Sequence, residues 1–308
     1  MTKSSRIVIV GAGNVGATAA YAVMLRGLFA EIVLVDTNAD RAVAEVTDIA
    51  DANAIARPAR IWAGDYADTR DAAIVVLTAG AATHGDEPRT SIADKSATIV
   101  RSCVEQAMAA GFDGILVVAA NPADAMAQVA QTLSGLPPER VIGTGTLLDS
   151  NRFRKRVADR LHIAPGAVEA MVLGEHGDSE VMAFSTVRIG GMTLDAFLDG
   201  TPFDRDRVAH DVVRAAYTIN HGKGFTSYGV ATAIVRICEA VQRDERVVLP
   251  VSTRLDGQFG IDGVYLSLPC LIGAAGVLRV LTPDLDAAER DALQASAATL
   301  RKTLQACG

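Results

Sequence analysis

The first half of the chain alternates short runs of β-branched residues with Ala-rich segments of helical character. Near-continuous apolar strands separated by helices indicate a parallel sheet that is covered on both faces. From about residue 146 the pattern changes to mixed strands and helices, with two helices expected over 204–243 and an amphipathic helix over 285–306. We therefore predict an α/β protein with a doubly wound parallel sheet over residues 1–145 and a mixed α+β domain over 146–308. The predicted strands of the first half are RIVIV (6–10), EIVLVD (31–36), AAIVVLTAG (72–80), GILVVAANP (114–122) and VIGTG (141–145).

The first apolar run leads directly into a glycine-rich turn. In IVIVGAGNVG, Gly11, Gly13 and Gly16 have the GxGxxG spacing between a strand and a helix, which is typical of a Rossmann-type dinucleotide site. Asp36 ends the second predicted strand, where a carboxylate can accept hydrogen bonds from the adenosine ribose. Its charge would repel a 2′-phosphate, so the pattern favours NAD over NADP. A glycine turn that binds nothing remains the alternative.

A second motif, GEHGDSE over 174–180, places His176 between two glycines. Glycines let the backbone turn sharply and leave an imidazole accessible, which favours a chemical role. A turn histidine that follows a buried strand is the equal alternative on this motif alone.

Composition and charge exclude several classes of protein. The chain has 308 residues, which is more than one ordinary core needs, and a net charge of −7, which disfavours binding to nucleic acid or to anionic lipid. No apolar stretch is long enough for a membrane span, and we expect a soluble, cytoplasmic protein. The four cysteines are scattered singly, so we expect reduced thiols and no metal site.

The motifs GAGNVG, TAG, ANPAD, GTGTLLDSNRFR, GEHGDSE and GKGFTSYGVAT follow one another along the whole chain. In this order and at this spacing they resemble the L-lactate/malate dehydrogenase superfamily, and GTGTLLD and KGFTSYGVAT resemble its L-lactate/L-2-hydroxyisocaproate dehydrogenase branch. The resemblance implies a homo-oligomer, a tetramer or a dimer, that uses NAD and a small 2-hydroxy or 2-keto acid.

The resemblance assigns His176 as the group that exchanges a proton with the substrate, which suits an imidazole near neutral pH. Asp149 would orient the ring and stabilise its charged form. Arg152, one helical turn after Asp149, would hold the substrate carboxylate with its planar fork. Composition alone favours surface charges on a helix for both Asp149 and Arg152, and the resemblance reverses this interpretation.

Further roles follow from the same resemblance. Arg89 would close over the substrate and polarise its carbonyl, and Asn121 would orient the substrate and the nicotinamide. Thr226 would contact the substrate, although a packing role is an alternative for it and for Val230. The remaining cofactor contacts would come from Asn14, Val15, Thr78, Ala79, Gly80 and Val230.

The sequence departs from the family at two places. Counting back from Arg89, the substrate-selecting position is Thr83, where lactate dehydrogenases typically have glutamine and malate dehydrogenases have arginine. An uncharged threonine disfavours oxaloacetate and leaves space for larger keto acids. Arg154 matches one phosphate-binding residue of family members activated by fructose 1,6-bisphosphate, but Glu169 replaces the histidine of that site. We therefore expect no activation by this effector.

The sequence predicts an NAD-dependent L-2-hydroxy acid dehydrogenase, with pyruvate and L-lactate as the first pair to test and larger 2-keto acids as further substrates. Malate dehydrogenase is the alternative within the enzyme class. A non-catalytic NAD-binding protein on the same fold is the alternative outside it.

Overall fold

A computed structural model describes residues 5–81 and 89–307. Its first half contains the predicted parallel sheet, and the predicted strands of this sheet are buried on both faces at their centres. The strand Arg60–Ala63 was not predicted, because RIWA is short and half-exposed. The elements of this half are β1 (Arg6–Val10), α1 (Asn14–Arg26), β2 (Glu31–Val35), α2 (Ala39–Asn53), β3 (Arg60–Ala63), β4 (Ile74–Leu77), α3 (Arg89–Ala109), β5 (Ile115–Val118), α4 (Ala123–Ser134) and β6 (Val141–Gly143).

The second half contains long antiparallel strands, short strands and helices. Three helices, rather than the two predicted, lie between 205 and 242, because the chain turns at Arg214 and again at Gly224, whose φ is +84°. The elements are α5 (Leu147–Leu161), β7 (Val168–Glu169), β8 (Val172–Leu173), β9 (Val181–Met182), β10 (Arg188–Ile189), β11 (Met192–Thr193), α6 (Leu194–Leu198), α7 (Arg205–Val213), α8 (Ala215–Lys223), α9 (Tyr228–Gln242), β12 (Val247–Asp256), β13 (Asp262–Gly273), β14 (Gly276–Val280) and α10 (Ala287–Gln305).

The main sheet has nine strands in the order β14-β13-β12-β6-β5-β4-β1-β2-β3. The six strands of the first half are parallel and reverse their order between β1 and β4, which is the switch point of a Rossmann-type sheet. Three antiparallel strands from the second half extend this sheet, with Ser252 of β12 opposite Gly143 of β6. The fold class is thus the predicted one, while the division at 145/146 stays a prediction.

The turn between β1 and α1 contains two close backbone contacts, one to β2 and one between the turn and α1. Gly11 has a φ of +106°, and its N–H donates to Val35 O at 2.7 Å. A Cβ on Gly16 would lie 1.8 Å from the Gly11 oxygen, so α1 can pack on β1 only if residue 16 has no side chain.

We expect Gly16→Ala to lower the free energy of unfolding of the cofactor-free protein by about 1–3 kcal/mol, because the added methyl group overpacks the turn. Gly13→Ala is the matched control: its φ is −73°, and a Cβ there meets nothing within 4 Å. Thermal and urea unfolding measure both variants. Equal losses of stability in the two would contradict the packing role of Gly16.

Candidate active site

The carboxyl ends of the parallel strands open into two cavities. The first has a volume of about 530 Å³ and lies where β1, β2 and β4 end. It holds several of the predicted cofactor residues, namely Gly11, Gly13, Asp36, Thr78, Ala79 and Gly80. The open space in front of Gly13, at the start of α1, fits a pyrophosphate that would accept hydrogen bonds from the free N–H groups of a helix.

Asp36 is fixed at the edge of this cavity. One carboxylate oxygen accepts the Ala12 N–H at 2.7 Å and the other accepts the Asn38 N–H at 2.8 Å. Each oxygen keeps a further lone pair for a ribose hydroxyl. Arg41 also lines the cavity, which the sequence analysis did not anticipate, and it lies 3.9 Å from Glu45. The residues present therefore fit the adenosine half of NAD.

The second cavity, of about 160 Å³, lies beyond the glycine turn. Because both cavities adjoin the glycine turn, an extended dinucleotide can run from one to the other. The second cavity brings together residues from both halves of the chain that the sequence predicted for the substrate or the nicotinamide, namely Val15, Asn121, Arg152, His176, Thr226 and Val230.

Asp149 connects the two charged groups of this cavity. It lies in the first turn of α5 and is only 2% exposed. Its Oδ2 lies 2.6 Å from His176 Nδ1, and its Oδ1 accepts a hydrogen bond from Arg152 Nη1 at 2.8 Å. The bond between Asp149 and His176 holds the imidazole ring at Nδ1 and leaves its Nε2 available for proton exchange.

The pair shifts the pKa of both partners. The charge of Asp149 raises the pKa of His176 to about 9, although burial acts in the opposite direction. Burial alone would raise the pKa of Asp149, but the charges of His176 and Arg152 and their hydrogen bonds hold it below its usual value. His176 therefore carries a proton at neutral pH, and 27% of its side chain remains exposed.

Three contacts that the sequence analysis missed hold the turn that carries His176. The His176 N–H donates to the buried Asp124 carboxylate at 2.7 Å, and the Glu175 N–H donates to Ser296 Oγ at 2.8 Å. Gly174 pairs with Ser267 of β13 through two backbone hydrogen bonds. Asp124 lies within the ANPAD motif, which was the one available signal; nothing in the sequence indicates Ser267 or Ser296.

Some predicted residues are not brought to the cavities. Asn14 is exposed at the start of α1 and lines neither of them. Thr83 lies outside the described residues, and Arg89 begins α3 without a described side chain. Arg154 donates to the Ala170 oxygen at 3.2 Å, and Glu169 is exposed on β7. The roles of Asn14, Thr83 and Arg89 stay predictions, as does the absence of activation by fructose 1,6-bisphosphate.

Comparison with known families agrees with this architecture. Residues 5–143 match the model of the lactate/malate dehydrogenase NAD-binding domain, and residues 146–307 match that of the lactate/malate dehydrogenase alpha/beta C-terminal domain. The chain belongs to the lactate/malate dehydrogenase family, a family of NAD-dependent oxidoreductases.

Individual relatives cover the whole chain. An L-lactate dehydrogenase of Thermus aquaticus is 42% identical over 308 residues, covering 98% of this chain and 99% of that protein. One of Clostridium botulinum is 40% identical over 306 residues, covering 98% and 96%. Among solved structures, the minor L-lactate dehydrogenase of Enterococcus mundtii in its ligands-bound form has a TM-score of 0.96 at 36% identity, covering 99% and 98%. A lactate dehydrogenase from a Medee basin deep-sea metagenome library has a TM-score of 0.95 at 37% identity, covering 99% of both chains.

We expect Asp149→Asn to lower the pKa of His176 from about 9 towards its ordinary value of about 6.5, because the neutral amide removes the charge that stabilises the imidazolium. A raised pKa means that the ring is protonated throughout the neutral range and loses its proton as the pH rises through about 9. In the variant this loss moves to lower pH. Titration of the ring by NMR measures the change. An unchanged His176 titration would contradict the pairing.

Proposed function

We propose that the protein is an NAD-dependent L-lactate dehydrogenase that interconverts pyruvate and L-lactate and tolerates larger 2-keto acids. One arrangement carries the proposal: the buried Asp149 joins an Arg152 guanidinium and a protonated His176 at the same cavity. A 2-keto acid needs both groups, a cation for its carboxylate and an acid for its carbonyl oxygen.

The residues divide the reaction between them. Arg152 binds the substrate carboxylate by two parallel hydrogen bonds, which sets the orientation of the adjacent carbonyl. In the reductive direction His176 gives its Nε2 proton to the carbonyl oxygen, and in the oxidative direction it takes the hydroxyl proton back. Asp149 compensates the imidazolium charge. The nicotinamide, when bound beside Val230 and Asn121, supplies or accepts the hydride.

Malate is a weaker candidate substrate. Arg152 is the one Lys or Arg side chain among the described residues that line the substrate cavity. A dicarboxylate would need a second cation, and at position 83 the chain has an uncharged threonine. A non-catalytic NAD-binding protein is disfavoured because binding alone does not need a proton-transfer pair.

We also propose a cytoplasmic homo-oligomer, a tetramer in the first instance. Large apolar side chains are exposed on α1 and α2, among them Tyr21, Leu25 and Val43, and an assembly would cover them. All four cysteines are free and buried, which suits a reducing compartment. Within the described residues no helix has the length and apolar character that a bilayer crossing requires.

We expect His176→Ala to lower turnover of pyruvate with NADH by at least about a hundredfold, because it removes the proton donor. NADH binding should change little, since the glycine turn and Asp36 carry it. The exposed His210 on α7 offers a matched control, His210→Ala. Steady-state NADH oxidation and NADH fluorescence titration measure the two effects. Retention of more than about a tenth of the turnover would remove His176 from this role.

A parallel assay of pyruvate, 2-ketoisocaproate and oxaloacetate separates the candidate functions. We expect Thr83→Arg to raise kcat/KM for oxaloacetate relative to pyruvate by about tenfold or more, because a guanidinium would pair with the second carboxylate. Thr83→Gln is the uncharged control. Strong wild-type preference for oxaloacetate, or an arginine variant without gain, would show that residue 83 does not select the substrate. No turnover of any of the three would favour the non-catalytic protein.

A further inference from the structure

The turn that carries His176, residues 174–180, contains a carboxyl group to which neither the sequence nor the proposed mechanism gives a role. Glu180 lies just before β9, and its N–H closes the turn on the Gly177 oxygen at 3.2 Å. Its carboxyl group forms one cluster with the Asp149 carboxylate and the His176 ring, in which one polar atom from each residue lies within 4.8 Å of the other two. Glu180 is therefore close enough to alter the charge of the catalytic pair.

Both oxygens of Asp149 are already engaged, one by Arg152 and the other by His176. Two carboxylates this close in a partly buried site cannot both be ionised without strong repulsion. Asp149 has the two cationic partners and keeps its charge. Burial, and then the charge of Asp149, raise the pKa of Glu180 to about 9. Burial and the neighbouring Asp149 thus favour the protonated form of Glu180, and a hydrogen bond between the two carboxyl groups acts in the same direction.

The other charged groups around Glu180 do not reverse the upward shift of its pKa. His176 and Arg152 both act to lower the pKa of Glu180, and their effect is smaller than that of burial and Asp149. From α4, the buried Asp124 side chain accepts the His176 N–H and acts to raise the pKa of His176. Within the turn, Asp178 accepts a hydrogen bond from Tyr217 of α8 at 3.0 Å, and Ser179 of the turn donates to Glu175.

Ser296 of α10 is neutral: its Oγ accepts the Glu175 N–H at 2.8 Å and lies 3.2 Å from Ser179 Oγ.

The charge of the site depends on this proton. Asp149, Arg152 and the protonated His176 together carry a net single positive charge, which complements the carboxylate of a keto acid. Ionisation of Glu180 would cancel that charge within the same cluster. An anionic substrate would then enter a site without net attraction.

We propose that Glu180 is a positioning residue that acts as a neutral carboxylic acid: its O–H donates a hydrogen bond to Asp149, holds that carboxylate between Arg152 and His176, and keeps the site attractive to an anion. The inference rests on the proposed function for its effect on substrate. The direction with pH follows from the raised pKa: the neutral form prevails below about pH 9 and is lost as the pH rises through that value.

The test compares the wild type with Glu180→Gln and Glu180→Ala in L-lactate oxidation across the alkaline range. This direction needs neutral His176, so alkaline pH does not remove the proton acceptor. For the wild type we expect KM for lactate to rise about tenfold per pH unit once Glu180 ionises. His176 loses its proton near the same pH in all three proteins, so the test is the difference between their profiles. The Gln variant, which keeps an N–H donor and cannot ionise, should show a smaller alkaline rise of KM than the wild type, with kcat at neutral pH within about twofold of it. The Ala variant should show the same smaller rise, with a raised KM and a lowered kcat at neutral pH.

Glu169→Gln, the same substitution at an exposed position on β7, is the matched control and should keep the wild-type profile. The same alkaline rise of KM in Glu180→Gln as in the wild type would overturn the proposal. So would a flat wild-type profile.

A second measurement does not depend on turnover. Infrared difference spectra of wild type minus Glu180→Gln, recorded at neutral pH without substrate, should contain the carbonyl band of a protonated carboxyl group. Subtraction removes the contribution of every carboxyl group that the two proteins share. A missing band overturns the proposal even if lactate is oxidised. A band in a protein that turns over neither lactate nor pyruvate would instead refute the proposed function and support the protonated Glu180.

Discussion

The buried ion pair between Asp149 and His176 is the interaction on which the rest of the site depends. A carboxylate that is 2% exposed is costly unless charged partners compensate it, and Asp149 has two, at 2.6 Å and 2.8 Å. The pair holds the ring at Nδ1 and raises its pKa, and the same carboxylate also binds Arg152, the proposed substrate-binding residue. Orientation, protonation and placement of the cation thus follow from one buried charge.

The sheet explains why this pair meets the cofactor cavity. Strand order reverses between β1 and β4, so the loops after these strands leave in opposite directions and open a crevice at their carboxyl ends. The glycine turn follows β1, Asn121 comes shortly after β5, and α5 with Asp149 follows β6. The first-half strands therefore supply one wall of the cavity, and the helix after β6 brings in the ion pair.

The second half of the chain positions the remaining wall. β12 and β13 extend the sheet beyond β6, and from there Ser267 pairs with Gly174 at the start of the turn that carries His176. Ser296 of α10 and Asp124 of α4 hold the next two backbone N–H groups. Hydrogen bonds from β13, α10 and α4 thus hold the backbone of this turn. They keep His176 within hydrogen-bonding distance of Asp149 although glycines flank the histidine.

The sequence by itself determined the parallel sheet, the glycine turn with Asp36, and the identity of His176, Asp149 and Arg152 as a set. These features are local: β-branched runs, glycine spacing and a three-residue helical spacing are visible without knowledge of distant contacts. Even so, the assignment of the last three to one site came from the order of motifs along the chain. Composition alone would have left Asp149 and Arg152 as surface charges.

Only the tertiary structure decided how these groups are charged and held. The raised pKa values of His176 and Glu180 and the supports from Ser267 and Ser296 depend on burial and on contacts between residues up to 121 positions apart. The tertiary structure also decided the strand β3 and the extension of the sheet by β12–β14. A short half-exposed strand has no local sequence signature, and neither does the choice of an antiparallel neighbour. Electrostatic energies depend on distance and on exclusion of water, and a sequence specifies neither until the chain has folded.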